Sequence, residues 1–172
     1  MRNLLKFRGI TVAEATIAIL IVAILVAAAV PTYLHYVETQ RLKGAAEGAR
    51  VLLNLARSEA LKRNISIVMQ IIPGSNWCYG VTTVYFCDCN SPANCDLGQE
   101  SATIYPGTTL STTFSGVTGQ SFEVVFQPDR GDATFSGTIT FTGSSGRSIV
   151  VTVIKQGLVH ICSDTVGGYG SC

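Results

Sequence analysis

The chain has 172 residues, 47% of them hydrophobic and only 13% charged, with a formal net charge of +1. That length suits one domain plus an appended segment, and the near balance of charge excludes a general attraction to nucleic acid or anionic lipid. The apolar excess is local. From Ile10 to Val30 there is one ionisable residue, Glu14, among 21. As a helix this run would be roughly 31 Å long, enough for a bilayer core. Arg2, Lys6 and Arg8 precede it, and no Lys or Arg follows until Arg41. The positive-inside bias therefore places the N-terminus in the cytoplasm and the rest outside. Without residues 1–9 the balance becomes 9 basic against 11 acidic groups.

Two ordinary accounts of the N-terminus exist. MRNLLKFR could open a secretory signal peptide, with Ala27-Ala28-Ala29 offering a cleavage site before Val30. Alternatively the run is an uncut signal anchor. Neither uses Glu14, a carboxylate that is costly within lipid and, in such places, usually functional and partnered.

The stretch FRG-ITVAE resembles the leader junction of type IV prepilins and type II secretion pseudopilins. Those proteins carry a short basic leader ending in Gly, then an apolar first mature residue, then Glu as the fifth. Pilins usually read FTLIEL where this chain reads ITVAEA. The resemblance implies a leader over residues 1–9 and cleavage between Gly9 and Ile10 by a prepilin peptidase. It also implies an N-methylated Ile10, and a Glu14 that pairs with the N-terminal amine of a neighbouring subunit during assembly.

Helical spacing continues past Pro31, where the missing N–H predicts a kink. Leu34, Val37, Leu42, Ala45, Ala49, Leu52, Leu53, Ala56, Ala60 and Leu61 recur at intervals of three and four. Charged residues fill the other face, with Glu47 and Arg50 at a supportive i,i+3 spacing. Asn64 is the predicted stop. The expected segments are thus residues 10–30, the transmembrane half of a helix, and 31–63, its amphipathic half, about 80 Å in all. Its end, Ala56-Arg57 with Ala60 and Arg63, resembles the AR-x-x-A-x-x-R pattern of the FimT/FimU and H-type pseudopilin group.

From residue 64 to 172 the pattern alternates, predicting a globular β-rich domain. Candidate strands are 65–72, 77–86 (with Gly80 as a bulge), 108–114, 122–126, 133–142, 147–154 and 158–161. Gly143–Gly146 and Lys155-Gln156-Gly157 read as tight turns. Helix followed by strands predicts an α+β fold, antiparallel sheets packed on the long helix. Phe126, Pro128, Gly131 and Gly157, with Trp77 and Gly80, resemble the H-type pseudopilin domain, so the resemblance implies a pilin fold.

Six cysteines, Cys78, Cys87, Cys89, Cys95, Cys162 and Cys172, all follow the apolar run. In an exported domain an even count predicts disulfides, and six allow 15 pairings. The spacings C-x-C and C-x5-C over 87–95 are not those of zinc ribbons, so no metal is expected there. Cys162 and Cys172 flank a Gly-rich tail and resemble the terminal disulfide loop of many pilins. Their expected pairing leaves two bridges among the other four, with the partners open.

His35 and His160 lack the serine, carboxylate pair or phosphate loop that catalysis requires and are expected to be structural; neither an enzyme nor a cofactor is expected. Asp88, Asp129 and Asp132 read as turn residues, with calcium a weak alternative. DNA-binding relatives carry GR-x-R near the C-terminus, whereas this chain has Gly146-Arg147-Ser148-Ile149. Arg130, Arg147 and Lys155 are the local candidates if DNA is bound.

The resemblance implies a minor subunit of a type IV pilus or type II secretion pseudopilus, in its tip or priming complex. Its partners would be other major and minor pilins or pseudopilins, the prepilin peptidase and the inner membrane, with the globular domain in the periplasm. A DNA-binding minor pilin and a secreted β domain behind a signal peptide are the alternatives.

Overall fold

The computed structural model describes residues 11–172 apart from 92–93, 115 and 119–120, and excludes the side chains of 28–29, 31–32, 116–118 and 121. In chain order, helix α1 (Val12–Arg63) is followed by β1 (Ile67–Ile72), β2 (Cys78–Thr82), β3 (Gly98–Ser101), β4 (Thr108–Thr112), β5 (Gly116–Thr118), β6 (Ser121–Phe126), β7 (Gly137–Gly143), β8 (Ser148–Val153) and β9 (Val159–Cys162). The chain divides into two compact units, residues 1–37 and 38–172.

The first unit is helical from Val12 onward, and the helix continues through Pro31 without a break. Among its described apolar side chains, Ile17, Leu20, Ile24 and Leu34 are exposed and Val37 is half-buried.

In the second unit α1 ends at Arg63, where Asn64 takes a left-handed conformation (φ 54°). Asn is among the few residues that adopt this C-terminal geometry readily. Leu42, Ala45, Ala49, Leu53, Ala56 and Ala60 are all fully buried and share one core with the strands. Their spacing is the three-four stripe expected of a helix seated on a core, and the small alanines let the neighbouring backbone approach. Leu61 is instead exposed, and Glu59, on the predicted polar face, is largely covered.

The strands form two antiparallel sheets, ordered β3-β2-β1-β6-β5 and β4-β7-β8-β9. In the second sheet Ile139 and Phe141 of β7 and Ile149, Val151 and Val153 of β8 point inward, alternating with half-covered positions. β2 is buried along its whole length. Tyr79 and Val81 face the main core, whereas Cys78 joins Cys87, Cys89, Cys95 and Ile72 in a second, smaller cluster. The cysteine-rich segment therefore covers the first sheet's other face.

Several strand boundaries differ from expectation. The 77–86 run stops at Thr82, and Val84, Tyr85 and Phe86 are exposed beyond it. The 133–142 run begins pairing as a strand only at Gly137, with Phe135 exposed. β3 (GQES) and β5 (GVT) carry no apolar alternation and gave no sequence signal. Gly80 is not a bulge: it pairs in regular register with Gln70 and Gln99. A Cβ there would collide with the Cys95 side chain, so this glycine makes room for a cystine.

Candidate assembly site

Gly9 and Ile10, the expected cleavage junction and methylated residue, lie outside the described residues. The helix start just beyond them is described. The Thr11 N–H donates to Glu14 Oε2 at 2.9 Å and the Thr11 hydroxyl donates to the same oxygen at 3.0 Å. In return the Glu14 N–H donates to Thr11 Oγ1 at 3.3 Å. This reciprocal pair is a capping box, in which Thr at the N-cap and Glu three residues on satisfy each other's backbone donors. The T-x-x-E signature of such a box stands in the sequence as Thr11-Val12-Ala13-Glu14, and Thr11 is the site residue that the search for charged groups does not single out. Glu14 is thus positioned one turn into α1, with bare apolar side chains on every side of the helix after it. Among the described residues no helix is long and apolar enough to cross a membrane. The apolar run itself includes Ile10 and the side chains of Ala28 and Ala29, which are outside that description.

At the start of the second unit Glu38 holds the turn between β7 and β8. Its Oε1 accepts from the Ser145 N–H (2.8 Å) and hydroxyl (2.9 Å), and its Oε2 from Arg147 Nη2 (3.0 Å). The Ser145 N–H, helped by the Ser145 hydroxyl and Arg147 and opposed by partial burial, holds the Glu38 carboxyl down to about 2. Arg147 also donates to Thr39 Oγ1 at 2.7 Å and Ser145 Oγ at 3.0 Å.

These contacts bear on the three DNA candidates. Arg147 is engaged by a carboxylate and three-quarters covered. Arg130 and Lys155 are exposed on neighbouring turns, linked through the Ala133 N–H that donates to the Lys155 carbonyl. Next to them Arg57 Nε donates to the Gly131 carbonyl at 3.1 Å. Arg57 and Glu38 are nineteen residues apart on α1, about 28 Å of helix. The fold therefore keeps Arg147 away from the other two.

The cysteines form three disulfides, Cys78–Cys89, Cys87–Cys95 and Cys162–Cys172, and none is free. The sulfurs are thus bonded to each other rather than available as metal ligands. Among the described residues no group of His, Cys, Asp or Glu is placed to hold a metal ion. The Cys162–Cys172 loop is tied back to α1. The Tyr169 hydroxyl donates to Glu47 Oε1 at 3.2 Å, and Lys43 Nζ lies 5.7 Å from the centre of its ring. Burial and the Glu47 carboxylate push the Tyr169 phenol up to about 12. His160 is exposed on β9, opposite Thr152, and His35 lies on α1 in the first unit.

Comparison with known proteins gives two positive findings. The sequence profile of a family described as type II transport protein GspH matches residues 45–157. Two crystal structures of the type IV minor pilin FimU from Pseudomonas aeruginosa are similar in fold. One matches with a TM-score of 0.54 at 19% identity, covering 73% of this chain and 91% of that one. The other, from a different crystal form, gives 0.51 at 18% identity, covering 70% and 91%. No curated protein sequence matches the chain. At these identities the likeness to FimU is one of fold: a long N-terminal helix packed on antiparallel sheets.

Proposed function

The chain belongs to the GspH family of type II transport proteins, and from that premise we propose that it is a minor pilin-like subunit, structural rather than enzymatic. Prepilin peptidase would cut after Gly9, leaving Ile10 as a methylated N-terminus. Residues 10–30 would then hold the subunit in the inner membrane, with residues 38–172 in the periplasm, until it joins other pilins or pseudopilins in a tip or priming complex. Pro31 would supply a bend between the two halves of the helix.

The observation that carries this reading is the first unit itself. It presents one carboxylate, Glu14, at the head of a helix whose described apolar side chains are uncovered as far as Leu34. Such a surface needs lipid or other helices around it. In lipid a carboxylate needs a cation, and cleavage at Gly9 creates one in every subunit. The head of α1 of one subunit then meets the amine of the next, a heterologous contact of the kind that propagates into helical fibres.

Glu14→Ala tests the pairing. The variant is expected to fractionate with the inner membrane as the parent does, but to be absent from sheared fibres. The intact mass of the exported protein tests the processing, with a start at Ile10 and one added methyl group expected. Normal incorporation of the variant, or a mass that retains residues 1–9, would overturn the reading. Arg130 and Lys155 leave DNA contact as a lesser reading, tested by a mobility-shift titration at low salt, in which no shift is expected.

A further inference from the structure

A cleft of about 540 Å³ opens in the second unit between the β1–β2 turn, the residues after β3, and the cysteine-bridged loop. That volume is typical of small-ligand sites. Among the described residues its lining contains no Asp, Glu, Lys, Arg or His; the polar groups are Ser75, Asn76, Asn90, Gln99, Ser101 and Thr103. We infer that this cleft binds a neutral, polyhydroxylated ligand, a short saccharide. The inference is independent of the fibre reading above.

The walls are built rather than incidental. Gln99 spends both ends of its amide on the loop opposite: Oε1 accepts from the Cys95 N–H at 3.2 Å, and Nε2 donates to the carbonyls of Cys89 (3.3 Å) and Ser91 (2.9 Å). The same loop is covalently held by Cys78–Cys89 and Cys87–Cys95. The far wall is fixed where the Ala102 N–H donates to the Trp77 carbonyl at 2.9 Å, and Trp77 is wholly buried. A site held this way loses little freedom when it is filled.

The groups left over face the ligand. Asn76 and Asn90 are exposed at the cleft, and neither side-chain amide makes a hydrogen bond among the described residues. Each offers two N–H donors and one carbonyl acceptor, which matches adjacent sugar hydroxyls that both donate and accept. Pro106 and Ala102 add apolar surface for the C–H face of a ring. Without a cation in its lining the cleft has no charge to repay the desolvation of a phosphate or carboxylate, so charged sugars should be rejected.

The full-length protein in a zwitterionic, sugar-free detergent would be titrated calorimetrically with maltotriose, cellotriose and N,N′,N″-triacetylchitotriose, and with 3′-sialyllactose as the charged comparison. Saturable binding of at least one neutral trisaccharide is expected. Loss of one amide's hydrogen bonds in Asn76→Ala or Asn90→Ala should weaken it about tenfold, and Thr103→Trp, which puts an indole at an exposed position of the lining, should abolish it. Both asparagines are exposed, so the fold survives their truncation, and an unchanged disulfide map verifies this for all three variants. No binding of any neutral trisaccharide at about 10 mM, where even millimolar affinity would register, would overturn the inference. So would binding that ignores all three variants, or tighter binding of sialyllactose.

Discussion

Glu38 and Arg147, 109 positions apart in sequence, close an ion pair of 3.0 Å that clamps the β7–β8 turn to α1 where the second unit begins. Both side chains are mostly covered, with 13% and 25% of their surface exposed. The pair therefore has more effect than a fully solvated salt bridge, whose contribution is typically below about 1 kcal/mol.

The clamp makes a pH prediction with a definite sign. Glu38 is held down to about 2 in the folded chain, against about 4.3 when unfolded. A depressed carboxyl stabilises the fold above its unfolded value, and that stabilisation is lost as pH falls through the folded one. Glu38→Gln is therefore expected to be about 1–3 kcal/mol less stable near pH 7, with the two proteins converging as pH approaches about 2. Urea midpoints measured across that range check it. Parallel acid limbs for parent and variant would dismiss the clamp.

Gly157 and Gly131 make a second contact that side chains would prevent. Gly157 has φ +74°, Gly131 has φ +67°, and a Cβ on Gly157 would run into the Gly131 carbonyl oxygen. That oxygen is the one Arg57 holds. Gly157→Ala is expected to cost about 2–4 kcal/mol. Gly146 is the control: its φ is +82° but a Cβ there meets nothing within 4 Å, so Gly146→Ala should cost only about 1 kcal/mol. Equal midpoint shifts for the two variants would show that backbone conformation alone, not the close approach, sets the cost.

The two sheets meet through an aromatic group. Phe141 of β7 packs edge-on against Trp77 (centroids 5.2 Å apart) and against Tyr79 of β2 (6.1 Å). Phe141→Ala leaves a cavity between layers and is expected to cost about 3–5 kcal/mol. Tyr79→Phe keeps the ring but removes the hydroxyl, whose single proton has the Glu100 Oε2 at 2.7 Å and the Ala45 carbonyl at 3.0 Å as its acceptors. About 1–3 kcal/mol is expected there. The order of the two midpoints is the measurement, and a larger loss for Tyr79→Phe would reverse the assignment of packing over polarity.

Cys162–Cys172 holds Tyr169 against Glu47. Replacing both cysteines by serine is expected to cost about 2–4 kcal/mol. It should also bring the Tyr169 phenol, raised to about 12 in the folded chain, back toward about 10. Alkaline difference absorbance against a Tyr169→Phe background reads this directly, and an unmoved titration would mean that the disulfide does not position the ring. A non-reducing peptide map of the parent should give Cys78–Cys89, Cys87–Cys95 and Cys162–Cys172.

The sequence by itself determined whatever depends on neighbours in the chain. The apolar run with its lone Glu14, the three-four stripe from Leu42 to Ala60, the stop at Asn64 and the alternation in β7 and β8 all follow from residues within a few positions of one another. So does the Thr11–Glu14 cap, whose two members lie three positions apart. Tertiary structure alone decided the rest. β3 and β5 pair because adjoining strands offer them open edges, not because their own residues favour a sheet. The three pairings left open among Cys78, Cys87, Cys89 and Cys95 became one only when β2 brought Cys78 to the loop that carries Cys89. The partner of Arg147 sits 109 positions away, on a helix, and nothing local to either residue points to the other. Periodicity is written along the backbone, whereas the choice among distant partners is made when the core excludes water and only one arrangement satisfies the buried groups together.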